Sequence, residues 1–374
     1  MTSFSSPGLR TLAQDGSERG NLDASSDASS NEFLDLARSF GAGGAAAPVD
    51  SPAGDAAAAT AASETAPPPL TIDEAPAADY LAAIRPQLIR AGSLLLPNTQ
   101  QYPVRLSRSL REMVLENGGK LLRPSLSLIT AQLLGGRTDT ALAFGWAIEL
   151  IHNASLILDD LPAMDDATMR RGRMVIHLRH STAYAILLAT YMHNVAMQVI
   201  GRRTPSAAVH LQFTLRLQEA LGGHGLIGGQ ALDLDLLEEA PDLEAAHDYG
   251  HRNGLRDLWS VCAHFKTASL FSLALYAGAV DAGLSSAQIS TLLRCGDSAG
   301  LVFQLADDES DLDEDRQRSD FQSLLSREQR LQEAEDRRRQ WRQELSEAFG
   351  SPGDRLADYL DLATVFPAAP AATL

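Results

Sequence analysis

From residue 78 onward, apolar residues recur at helical spacing in long runs, and strand-like alternation is scarce. That pattern predicts an all-α domain over residues 78–374, built as a single large helical bundle. Residues 1–77 read differently. Ser, Ala, Gly, Pro and Asp dominate them and apolar runs are brief, as from Phe33 to Phe40, which predicts a disordered, low-complexity N-terminal segment. Between Ser326 and Phe349 the run EQRLQEAEDRRRQWRQEL predicts a charged, solvated amphipathic helix.

Two aspartate clusters interrupt the apolar pattern: Asp159-Asp160-Leu161-Pro162-Ala163-Met164-Asp165 and Asp307-Asp308-Glu309-Ser310-Asp311. Either alone could be a solvated acidic turn. Asp307 and Asp311, however, are four apart and share a helix face, and Pro162 is placed to end a helix so that Asp165 can swing back toward Asp159. Carboxylates gathered in an apolar setting repel one another unless a cation meets them. Oxygen ligands without nearby Cys or His point to Mg²⁺, which commonly bridges a few carboxylates to substrate phosphates. The basic run Arg170-Arg171-Gly172-Arg173 follows the first cluster at once, and guanidinium groups suit phosphate. A diphosphate substrate is the expectation.

Basic residues sharpen it. Of 31 Lys and Arg residues only Lys120 and Lys266 are lysine. Lys120 lies in Gly118-Gly119-Lys120-Leu121-Leu122-Arg123-Pro124, where paired glycines free the backbone for a diphosphate loop; Lys266 sits in an apolar helical run, where an ammonium needs an anion or a route to solvent.

These residues resemble the trans-isoprenyl diphosphate synthases, or polyprenyl synthetases, over about residues 80 to 325. The blocks that carry the likeness are GGKLLRP (118–124), ELIHNASLILDDLPAMDDATMRRGR (149–173), GLIGGQALDLD (225–235), HFKT (264–267) and FQLADDESD (303–311). The two extra residues of the first aspartate motif and its DDATMRRGR continuation are most like bacterial carotenoid-type geranylgeranyl diphosphate synthases. The resemblance implies the all-α isoprenoid synthase fold, a homodimer and several Mg²⁺ ions per site, held by Asp159, Asp160, Asp165, Asp307, Asp308 and Asp311. It makes Arg170 and Lys266 partners of the allylic diphosphate, with Thr267, Gln230 and Gln304 nearby and Phe303 beside the reacting tail. Lys120, Arg123, His152 and Arg171 match the pocket for isopentenyl diphosphate. The implied chemistry is ionisation of the allylic diphosphate, attack by the double bond of isopentenyl diphosphate, and proton loss, with no protein nucleophile. Small residues at Ala154 and Ser155, five and four before Asp159, imply a pocket open to a twenty-carbon product, with Tyr184, Tyr191 or Met192 as candidate floor.

The chain departs from the family pattern in places. No lysine follows the second aspartate motif, where only Arg316 and Arg318 stand in Leu312 to Asp320; Leu121 or Leu122 occupies the second basic position of the glycine-rich motif; and Met174-Val175 replace Pro-Thr. A farnesyl product, or a weakly active or non-catalytic partner subunit on the same fold, are the alternatives. A terpene cyclase should lack GGKLLRP and the second cluster.

Composition sets outer bounds. A net charge of −17 and a pI of about 4.9 disfavour nucleic acid. Cys262 and Cys295 are too few for a disulfide framework. No uninterrupted apolar run reaches membrane-spanning length, and the N-terminus has neither a secretory core nor the acid-poor character of a transit peptide. A bacterial cytoplasmic enzyme is expected, with export directed by residues 1–77 as the alternative.

Overall fold

The computed structural model describes residues 23–41, 71–73, 75–100, 103–116, 119–238, 243–253, 255, 257–311 and 326–364. Helices α1 (Asp23–Gly41), α2 (Ala77–Leu95), α3 (Val104–Arg111), α4 (Leu122–Leu134) and α5 (Thr138–Asp159) lead to a short hairpin of β1 (Met169–Arg170) and β2 (Arg173–Met174). After it come α6 (Ile176–Arg179), α7 (Thr182–Arg203), α8 (Ala207–Leu221), α9 (Leu226–Glu238), α10 (Leu243–Arg252), α11 (Leu258–Ala263), α12 (Ser269–Ala279), α13 (Ser286–Asp311), α14 (Arg327–Phe349) and α15 (Ser351–Ala363). Two turns are π-helical: Glu112–Glu116, following α3, and His264–Ala268, joining α11 to α12. The all-α expectation holds.

Helix α5 is the centre. Every residue from Thr140 to Ile151 is buried, as befits a helix apolar on all sides, and α4, α7 and α12 pack around it. Helices α5 and α7 and the stretch Leu258–Ala279 are long and apolar enough to cross a membrane by length and composition, although each is interrupted by polar residues such as Glu149, His193 and Lys266. Core packing accounts for α5 and for Leu258–Ala279, which are largely buried inside the bundle. About half of α7 is not.

The N-terminal boundary needs correction. Residues 23–41 lie within the segment expected to be disordered, yet α1 buries Phe33, Ala37 and Phe40 against the bundle. Their spacing of four and three places them on one helix face. The Arg203 guanidinium stacks over Phe33 at 4.6 Å, while Gln132 Nε2 and Thr138 Oγ1 each donate at 2.8 Å to the carbonyls of Phe40 and Ala37. Residues 1–22 and 42–70 lie outside the described residues.

At the other end, α14 is charged as expected, but one face buries Arg330, Ala334, Trp341 and Leu345. Helix α15 packs Tyr359 edge-on to Tyr80 of α2 at 6.1 Å. Its Arg355 donates to the carbonyls of Ile72, at 2.8 and 3.0 Å, and Ala75, just before α2.

Candidate active site

The first aspartate cluster forms where α5 ends. Pro162 follows the helix terminus as expected, and the chain turns back so that the Asp165 N–H donates to the Asp159 carbonyl at 2.9 Å. Asp166 takes a left-handed φ of 47°. Asp159 and Asp160 are 7% and 4% exposed, very low for carboxylates. Burial pushes Asp159 up to about 6, with Lys266 and Arg170 opposing and Asp165 and Asp160 adding repulsion. Burial raises Asp160 too, against the pull of Arg170, whose Nε donates to Asp160 Oδ1 at 2.7 Å. The hairpin reverses through Arg171 (φ 51°) and Gly172 (φ 72°), which brings the arginines back beside the carboxylates.

The second cluster ends α13, facing the π-helical turn of residues 264–268. A π turn widens the helix and re-aims its side chains, and such turns recur at functional sites. Here it carries Lys266 and Thr267. Lys266 Nζ donates to Asp233 Oδ2 at 2.7 Å. Burial alone would lower its pKa, but Asp233 and Asp159 more than offset that and hold it raised. Thr267 Oγ1 donates to Gln304 Oε1 at 2.7 Å, Gln304 Nε2 to Asp308 Oδ1 at 2.7 Å, and Trp259 Nε1 to Asp308 Oδ2 at 3.0 Å. Asp307 instead has an exposed side chain, yet enough protein crowds it to raise its pKa, with Lys120, Arg170 and Arg171 pulling the other way. The two clusters, far apart in sequence, therefore share the guanidinium groups of Arg170 and Arg171.

Beside them lies a strongly basic pocket. Gly119 (φ 38°) and Leu121 (φ 51°) bend the loop that presents Lys120, and Arg85 Nη2 donates to the Gly119 carbonyl at 2.7 Å. Lys120 stands over the Phe303 ring at 5.5 Å and Arg123 near the Phe271 ring at 5.8 Å, the two rings being 5.1 Å apart. Arg123 is buried, and burial lowers its pKa while Glu149 opposes; Arg171 follows the same pattern. Burial and the nearby Arg123, Arg171 and Arg170 drive His152 well below its ordinary value, so it is neutral near pH 7.

The remaining expected residues are also placed. Gln230 Oε1 is buried without a hydrogen-bond partner among the described residues. Ala154 is fully buried in the main core, and Ser155 bonds the His152 carbonyl at 2.9 Å. Tyr184 and Tyr191 of α7 bond Ser109 and Ser107 of α3 at 3.1 Å, and Met192 is core. The side chain of Asp311 falls outside the described residues, as do Gly118, Arg316 and Arg318. Sequence reasoning did not single out Asp233, Trp259 or Glu149; the Asp-Leu-Asp repeat around 233 was the one local signal.

The donor set suits a hard divalent cation, since the candidate ligands are carboxylate oxygens and burial holds Asp159 and Asp160 above the usual carboxylate range even with Lys266 and Arg170 beside them. No three His, Cys, Asp or Glu side chains among the described residues stand ready to hold a metal by themselves. The expected six-aspartate ligand set is thus not assembled as a cage: Arg170 engages Asp160, and Trp259 and Gln304 engage Asp308. A cation here would complete its shell with other oxygens, such as those of a phosphate.

The sequence pattern of the polyprenyl synthetase family matches residues 104–320. Farnesyl diphosphate synthase of Micrococcus luteus is 36% identical over 199 residues, 53% of this chain and 64% of that protein. Chloroplastic geranylgeranyl pyrophosphate synthase 11 of Arabidopsis thaliana is 33% identical over 217 residues, 57% of this chain and 58% of that protein. The chain thus spans less than two thirds of either relative. Among solved structures, an apo FPP/GFPP synthase from Zymomonas mobilis superposes with a TM-score of 0.66 at 29% identity, covering 77% of this chain and 99% of that one. A Helicobacter pylori geranyltransferase complexed with magnesium and isoprenyl diphosphate shares the fold, with a TM-score of 0.64 at 23% identity over 77% of this chain and 98% of that one.

Proposed function

This chain belongs to the polyprenyl synthetase family, and from that premise we propose that it is a Mg²⁺-dependent prenyltransferase condensing isopentenyl diphosphate with an allylic diphosphate to give geranylgeranyl diphosphate. The observation that carries the reading is the common electrostatic reach of both aspartate clusters: Asp307 faces Lys120, Arg170 and Arg171, while Arg170 pairs with Asp160 and Lys266 lies near Asp159 and Asp165. Such a centre suits a metal–diphosphate pair.

In this proposal Asp159, Asp160, Asp165 and Asp307 hold Mg²⁺, Asp308, bonded by Trp259 and Gln304, supports the second motif, and Asp311 completes it. Bound Mg²⁺ would supply neutralisation of the charge that develops on the departing diphosphate. Lys266, Thr267, Arg170, Gln230 and Gln304 orient the allylic diphosphate and stabilise the same charge. Lys120, Arg123, His152 and Arg171 hold isopentenyl diphosphate with its double bond toward the allylic carbon, and that placement provides much of the rate enhancement. His152, neutral, donates a single hydrogen bond. The Phe303 ring lies against the reacting tails. Ala154 and Ser155 leave room for elongation, which favours twenty carbons over fifteen. A homodimer has its physical candidate in exposed Ile186, Leu187 and Met197 of α7 with Leu211 and Leu215 of α8.

The test is incubation of the purified protein with Mg²⁺, isopentenyl diphosphate and each allylic primer, with and without a chelator, followed by sizing of the products. Twenty-carbon product that vanishes with chelator supports the reading; no chain extension from any primer overturns it. Asp159→Ala and Asp307→Ala should each cost several kcal/mol of transition-state stabilisation, about that of a central electrostatic contact or more.

A further inference from the structure

We propose that Trp259 is a positioning residue for the allylic half of the reaction, acting through Asp308; the inference rests on the function proposed above. Trp259 comes from α11 and is 8% exposed, so its bond to Asp308 Oδ2 at 3.0 Å is largely screened from competing water. The other oxygen of the same carboxylate takes the Gln304 amide at 2.7 Å, and Gln304 in turn accepts the Thr267 hydroxyl at 2.7 Å. Helix α11 is thus tied to α13 directly through this carboxylate, and the π-helical turn by way of Gln304.

The chemistry of the donor explains why this matters. An indole N–H is donor only and rigid with its ring, so it fixes an acceptor in direction as well as distance. Bonds from such a donor to an ionised carboxylate are stronger than neutral pairs. With both oxygens held, Asp308 cannot rotate, and the last turn of α13 is held at a rotation that turns Asp307 toward Lys120, Arg170 and Arg171. Through Gln304 the same network reaches Thr267 and so sets the turn that carries Lys266. Trp259 therefore registers Asp307 and Lys266, the two groups proposed to serve the allylic diphosphate, against each other. It touches neither substrate in this scheme.

Of the three tryptophans, Trp146 and Trp341 are fully buried elsewhere, bonded to Leu88 and Asp361, so Trp259 is also an optical reporter of this site. The experiment compares Trp259→Phe, Trp259→His, Asp308→Asn and the Trp259→Phe/Asp308→Asn double variant with wild type. Phe keeps a ring but lacks the N–H; the His ring carries Nε2 at the position of the indole nitrogen.

Trp259→Phe should lower kcat/KM for the allylic diphosphate about tenfold, the loss expected for a bond to a charged group, and leave the KM for isopentenyl diphosphate within about twofold. Trp259→His should recover part of that loss. The double variant should be no slower than Asp308→Asn alone. Titration with Mg²⁺ and inorganic pyrophosphate should change tryptophan emission in wild type and not in Trp259→Phe. Unaltered allylic kinetics in Trp259→Phe, equal damage to both substrates, or additive losses in the double variant would each overturn the proposal. Should Trp259→Phe fail to fold, Trp259→His and the emission titration of Asp308→Asn, expected to be blunted, decide the matter. A wild type that extends no primer defeats the proposed function instead, and the pyrophosphate titration then reads Trp259 independently.

Discussion

Gly119 and Arg171 are pressed together: a β-carbon built on Gly119 would stand 2.8 Å from the Arg171 guanidinium carbon, and Gly119 sits at φ 38°. A side chain there meets both strain and collision, at a cost of about 1–3 kcal/mol for the backbone alone. Gly119→Ala should therefore raise the KM for isopentenyl diphosphate about tenfold and spare that for the allylic primer. Steady-state kinetics with each substrate varied in turn checks the split.

Lys266 and Arg123 should divide the two substrates. Lys266→Ala raises the KM for the allylic diphosphate, and Arg123→Ala that for isopentenyl diphosphate. Lys266 also pulls the pKa of Asp159 down from where burial would put it. In the metal-free protein its removal should therefore raise the Asp159 pKa further, followed as the pH dependence of the carboxyl carbon signal by NMR. An Asp159 titration that stays put in Lys266→Ala would show that the two side chains do not interact.

Asp297, on α13, titrates where a stability assay can see it. Burial raises its pKa from 3.8 to about 7, against the Ser272 hydroxyl. Between pH 4 and 7 the folded protein keeps a proton that the unfolded chain has released, so stability falls as pH rises through that window, by at most about 1.4 kcal/mol per unit, and levels off above it. Asp297→Asn should flatten this slope in urea unfolding at pH 5, 6, 7 and 8. Equal slopes in both proteins would assign the dependence elsewhere.

Ala154→Phe tests the elongation pocket. An aromatic ring in a close-packed wall excludes the longer chain sterically, so products should shorten from twenty carbons to fifteen or ten while isopentenyl diphosphate is still consumed. A folded, active Ala154→Phe that still makes mainly the twenty-carbon product shows that residue 154 does not face the tail.

Much of the site was legible because its chemistry is local: carboxylates in runs, a lone lysine in an apolar helix, arginines after a turn. Trp259 and Asp233 were not, because each matters only through a partner brought near by folding, Asp308 and Lys266; nothing beside Trp259 announces it, and the Asp-Leu-Asp repeat at 233 does not name its partner. Nor does composition signal the left-handed φ of Leu121 and Arg171, which bulky residues adopt only when their surroundings hold them there. For α1 the signal existed. Phe33, Ala37 and Phe40 have helical spacing, but the low-complexity chain around them outweighed three residues.

The bonds from Arg355 to the carbonyls of Ile72 and Ala75 make the two ends of the bundle a clasp. Residues 104–320 carry the family's chemistry, but α2 is held in place by a helix that begins beyond them, at Ser351. Trimming the chain after residue 320 would leave Tyr80 without Tyr359 and the approach to α2 untethered. The piece that keeps these fastenings is therefore longer than the stretch that contains every proposed site residue.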